Sequence, residues 1–193
     1  MDESSPLVSD LVLIGGGHAQ VHIIKMCGME PLRTTLSKNG IRVTLIARDV
    51  MTPYSGMLPG YIAGHYSFEE IHIDLHRLCS FANVRLIHAS ANRIVSNNKL
   101  GGLVYCDDGR PPLRYDALSI DIGSHPTSVD NENENENENE NGITPVKPIS
   151  GFAKRYNDFV KRLEISAKCY TKQNPFVLLV AGAGAGTYII RRI

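Results

Sequence analysis

The sequence has little that would commit it to a membrane, a metal or a disulfide framework. No apolar run approaches the ~20 residues that a membrane-spanning helix needs. Residues 1–10 are polar and acidic, without a basic stretch leading into an apolar one, so no secretory signal is expected and a cytoplasmic protein is. The four cysteines, Cys27, Cys79, Cys106 and Cys169, are too widely scattered for a CxxC redox pair or for zinc spacing. They read as reduced thiols of an intracellular protein. Charge of one sign is also missing: 20 acidic and 20 basic residues cancel, and no global field points to nucleic acid or to a membrane surface.

What is there suffices for a folded core, since 42% of the 193 residues are hydrophobic. The charge balance hides an asymmetry. Five glutamates lie in an alternating Asn-Glu run from Asn131 to Asn141, which leaves 15 acids against 20 bases elsewhere, a net of +5. That run has no hydrophobic residue and repeats like charge, so it cannot repay the entropy of ordering; a disordered insertion over 130–142 is expected.

Leu11 to Ile14 is an apolar run ending in Gly15-Gly16-Gly17, the pattern of a buried parallel strand entering a tight turn. Ala19, Ile23, Met26 and Cys27 then fall at helical spacing, and Gly28 ends the helix. After a loop through Pro31 and Asn39-Gly40, Ile41 to Ala47 reads as a second strand, completing a βαβ unit. Thr52 to Gly64, rich in Gly and Pro, reads as an ordered loop. A helix over 71–81, a strand over 84–89, an antiparallel meander over 91–116 and a strand over 118–122 follow. Beyond the Asn-Glu run, the pattern predicts an amphipathic helix over 152–168 and a buried strand over 176–180. That strand enters a second glycine-rich turn, Gly182-Ala183-Gly184-Ala185-Gly186.

A strand, a Gly15-x-Gly17 turn and a helix start form a pyrophosphate holder. The first glycine allows the turn, the second lets a phosphate approach the backbone, and the helix end offers unpaired N–H donors and partial positive charge. Gln20 stands where the third glycine of GxGxxG belongs, so helix–strand packing must differ there. An ordinary βα turn is the competing reading. An acidic partner for a ribose is sought at the end of the second strand, where Ala47-Arg48-Asp49 stands. Arg48 and Asp49 read either as ligand contacts or as a surface ion pair.

Taken in order, three segments resemble the pyridine nucleotide-disulfide oxidoreductase superfamily: residues 11–18, 43–49 and 52–60. The nearest likeness is to its type II NADH dehydrogenase-like branch, including the flavoprotein module fused in some organisms to selenide, water dikinase. Tyr115-Asp116 through Asp121-Ile-Gly-Ser124 and Pro126 is similar to the family segment that ends in Ala-Thr-Gly-Ser beside FAD, with Ile122 in place of the usual Thr.

The resemblance implies an α/β fold: a Rossmann-like FAD-binding parallel sheet with an antiparallel β-meander over 1–150, then the start of a second dinucleotide-binding unit over 151–193. It puts Gly15, Gly16, Gly17, His18 and Ala19 on the FAD pyrophosphate, Arg48 and Asp49 near the adenosine, and Pro53, Tyr54 and Ser55 in the loop approaching the flavin. Gly123 and Ser124 close the far side. His18 either donates to a phosphate or caps its own helix. Gly182 and Gly184 match the NAD(P)H turn, where Thr187 replaces a third glycine and the sequence ends at Ile193. A truncated NAD(P)H site, a fragment inactive by itself and weakened flavin binding are expected.

The implied activity carries a hydride from NAD(P)H to FAD and electrons on to an unidentified small-molecule acceptor such as a quinone, without the redox cysteines of the disulfide reductases. No nucleic acid and no membrane span is expected; association with a selenide, water dikinase-like enzyme is. No residue has a motif-level claim to proton transfer. The alternatives are a non-catalytic docking or nucleotide-binding module and a non-flavin NAD(P)-binding domain.

Overall fold

The structure is a computed structural model that describes residues 9–97, 101–123 and 149–166. The chain divides into two compact units, one of residues 1–52 and 73–123, the other of residues 53–72 and 124–193.

The first unit is built on a parallel sheet of four strands: β1 (Ser9–Ile14), β2 (Ile41–Ala47), β5 (Arg85–His88) and β9 (Ala117–Ile120). Their order is β5-β2-β1-β9, with Ile14 level with both Ile46 and Ile120. The order reverses at β1, whose two neighbours lie on opposite sides, and this is the place where open α/β sheets leave a crevice beyond the strands' carboxyl ends. The two shorter strands β3 (Met51–Pro53) and β4 (His72–Asp74) form a pair of their own.

Both faces of the sheet are covered, which explains why residues 11–14 of β1 read as a continuous apolar run. On one face Leu13, Val43, Leu45 and Ala47 pack with Ile24 and Cys27 of α1 (His18–Cys27) and with Leu75, Cys79 and Ala82 of α4 (Leu75–Ala82). On the other face Val12, Ile14, Ile46 and Ile87 pack with Val104, Cys106 and Tyr115. Those last three belong to a meander of β6 (Ala91–Asn97), β7 (Gly101–Cys106) and β8 (Leu113–Tyr115), antiparallel throughout. The α/β parallel sheet with an antiparallel meander is therefore as the sequence implies.

Three local expectations differ from the structure. Residues 32–38, expected as loop, form the helix α2 (Leu32–Lys38). Only Leu32 and Leu36 of it pack against the core, too few to show a period. The expected loop over 52–64 holds a 3-10 turn, Ser55–Met57, and the short helix α3 (Leu58–Ile62), whose Pro59 sits in the first turn, where a missing N–H costs nothing. The helix expected from Ile71 begins at Leu75, because Asp74 takes the N-cap and its carboxylate accepts from Arg77 N at 3.0 Å.

The second unit, among the described residues, gathers Leu58, Ile71 and Phe152 into a small core with Tyr61 and Tyr156 against it. Phe152 and Tyr156 lie on α5 (Ile149–Ser166), and their rings stack at 6.0 Å. The strand expected over 176–180, the Asn-Glu run, and the glycines Gly182 and Gly184 fall outside the described residues.

Leu13 is fully buried at the centre of the four-stranded sheet. Leu13→Ala removes packing from the helix-covered face and is expected to lower unfolding free energy by ~2–5 kcal/mol, as measured by urea denaturation.

Candidate functional site

The glycine turn sits at the carboxyl end of β1, at the point where the strand order reverses. Gly15 has a φ of +93°, open to glycine at little cost, and its N–H donates to Ile46 O at 2.8 Å. A methyl group on Gly15 would run into the Asp121 carbonyl, and one on Gly16 would meet Leu75 Cδ1 at 2.8 Å. Thr52 Oγ1 donates to Gly16 O at 2.7 Å, so the turn is held from a second side.

The neighbouring strand end completes the arrangement. Asp121 N donates to Ile14 O at 2.8 Å, extending the β1–β9 ladder by one bond. Asp121 O accepts from Gly17 N at 3.1 Å, and its side-chain Oδ2 accepts from Ala19 N at 2.9 Å. The carboxylate thus lies at the amino end of α1, where helical geometry leaves N–H groups without intrahelical partners and where negative charge is stabilised. Gly17 is the N-cap residue and has no side chain to cap with, so Asp121 caps the helix from a distant point in the chain. A side chain on Gly17 would collide with that carboxylate. Space and donor at this glycine are both taken by one aspartate.

Gln20 explains the missing third glycine. It is fully buried, and its Nε2 donates to Ser119 Oγ of β9 at 2.9 Å. Where a glycine would let helix and strand approach closely, a long side chain bridges them instead, which is the altered packing the sequence led one to expect. Its Oε1 is buried with no hydrogen-bond partner among the described residues.

The other expected residues are placed less closely. His18 is exposed, and no hydrogen bond from its imidazole to α1 is present among the described residues; the capping role belongs to Asp121. Arg48 and Asp49 follow the end of β2 and pair with each other at 3.3 Å, with side chains 71% and 55% exposed. An exposed pair of this kind contributes little stability, and both groups can turn to a ligand at small cost. Pro53, Tyr54 and Ser55 lie in the second unit, where Tyr54 N donates to Ile71 O at 2.7 Å. Gly123 follows β9 with a φ of +79°, and Ser124 is outside the described residues.

The sequence reading passed over Asp121 as a functional position. The signal was available: aligned on Gly123-Ser124, Asp121 stands where the family segment has its alanine.

Other chemistry is sparse. Cys27, Cys79 and Cys106 are free and buried. Burial pushes the Cys79 thiol up to about 11 and raises Cys27 and Cys106 as well, which keeps these thiols protonated and poor nucleophiles. Among the described residues no cluster of His, Cys, Asp or Glu could hold a metal ion, and no helix is long and apolar enough to cross a membrane.

The sequence matches no family model and no curated protein. Among solved structures, the chain is similar to the sulfide:quinone oxidoreductase of Aquifex aeolicus at 23% identity and a TM-score of 0.45, over 60% of this chain and 24% of that one. It is similar to the peptidyl tryptophan dihydroxylase QhpG at 16% identity and a TM-score of 0.37, over 63% and 34%. FqzB is similar at 12% identity and a TM-score of 0.37, over 63% and 37%. The chain therefore spans about a quarter to a third of the length of these proteins, and likeness at this level assigns no activity.

Gly17→Ala is expected to lower stability by ~1–3 kcal/mol because its methyl meets the Asp121 carboxylate. In a double-mutant cycle read by thermal denaturation, the same substitution in an Asp121→Ala background should cost clearly less. Additive losses would show that the two residues are not in contact.

Proposed function

We propose that this chain is the FAD-binding part of a flavoprotein oxidoreductase that takes a hydride from NAD(P)H and passes electrons to a quinone-like acceptor. The observation that carries this reading is the glycine turn at the reversal point of the parallel sheet, with the amino end of α1 directly behind it. The order of family-like segments along residues 11–60 and 115–126 supports it.

The backbone suits a dinucleotide: it offers helix-end amides and a tight turn where the strand order reverses. The Asp121 carboxylate does not suit it, since it lies on one of the donors that a phosphate would use. Bound FAD would supply a two-electron carrier. This chain's contribution is to hold the pyrophosphate on the α1 amides, with Arg48 and Asp49 towards the adenosine. NAD(P)H is assigned to the glycine-rich segment containing Gly182 and Gly184. No hydride step is assigned to a residue.

One observation favours a second reading, a docking module that binds no dinucleotide: the Asp121 carboxylate already satisfies one of the helix-end donors internally.

Thermal denaturation of the chain with FAD, NADH or NADPH separates the readings. FAD at a hundredfold excess over its dissociation constant should stabilise the chain by ~2.7 kcal/mol, with a smaller effect from either nicotinamide nucleotide. Stabilisation by NAD(P)H alone would identify a non-flavin nucleotide domain, and stabilisation by none of them would favour the docking module.

A further inference from the structure

We infer that Asp121 is a specificity-determining residue of the glycine turn: its carboxylate occupies the phosphate position, and a diphosphate ligand binds only by displacing it. The inference rests on the dinucleotide reading above and adds to it a residue of this chain that opposes binding.

Three observations converge on the same few ångströms. The Ala19 amide, in the first turn of α1, already donates to Asp121 Oδ2 at 2.9 Å. The space in front of Gly17, which the lack of a side chain keeps open for a phosphate, holds the Asp121 carboxylate instead. The strand end that carries Asp121 is locked in register by Asp121 N to Ile14 O and by Gly17 N to Asp121 O, so the carboxylate cannot leave by a shift of the backbone without breaking both. It leaves by rotating its side chain.

A phosphate and a carboxylate compete for the same donor, and if both remain they repel. Two like charges held within a few ångströms repel, and more strongly where the dielectric is lower than that of water. The ligand must therefore exchange one anion for another at the helix end instead of filling a bare positive site. Ligands without a phosphate make no use of the Ala19 amide and should be indifferent to Asp121.

The test uses the full chain, Asp121→Ala and Asp121→Asn, each checked for fold by circular dichroism and titrated calorimetrically with ADP, FAD and riboflavin. Both variants are expected to bind ADP and FAD more tightly than the unaltered chain, Asp121→Ala by about tenfold, with riboflavin unaffected. If removal of the cap unfolds Asp121→Ala, Asp121→Asn carries the test, because it keeps the size and an acceptor oxygen while losing the charge. Unchanged ADP affinity in a folded variant overturns the inference, as does an equal gain for riboflavin. A gain for ADP without FAD binding upholds the role of Asp121 and removes the flavin reading. FAD binding with no gain in either variant does the reverse, and no binding of ADP or FAD by any of the three proteins removes both.

Discussion

The amino end of α1 presents N–H groups that no carbonyl within the helix can reach, and a carboxylate from the end of β9 accepts from one of them. Around this contact the chain's central features align. A side chain on Gly17 would displace the carboxylate that lies against it, and Gly15 must lack one because the Asp121 carbonyl lies there. The residues that join β1 to α1 are thus shaped by a strand about a hundred positions further along the sequence.

The sheet makes the contact possible. β9 joins the sheet beside β1, on the side away from β2, so the ends of β1 and β9 arrive together at the reversal point. Gln20, the residue after Ala19, ties the helix to Ser119 of β9, and Thr52 holds Gly16 from the far side of the turn. The turn is thus held by hydrogen bonds on both sides. Rigid placement of amides is what anion binding at a helix end requires. On the proposed dinucleotide reading, the resident carboxylate sets a threshold that a ligand's phosphates must exceed.

Much of the first unit could be read from the order of residues. The helix over 18–27 and the strand over 41–47 are found where the pattern put them, since burial of one helical stripe leaves a period and a mostly apolar stretch between turn residues marks a strand directly. α2 could not be read that way, because a short helix with two inward leucines carries almost no period and its flanking Pro31 and Asn39-Gly40 mimic a loop. α3 was hidden by Gly and Pro, which a first helical turn tolerates. The glycine turn was legible as a motif, but its occupant shows only as an aspartate where the resembled segment has alanine: Asp121 acts through a contact spanning 102 positions, and local spacing does not encode a cap from so far away.

The most direct measurement is amide hydrogen exchange at Ala19, residue by residue, in the unaltered chain and in Asp121→Ala. The account predicts a protected Ala19 amide in the first and faster exchange at that position in the second, with the centre of β1 unchanged. Equal exchange at Ala19 in the two folded proteins would contradict it, because the amide would then have no bond to Asp121 to lose.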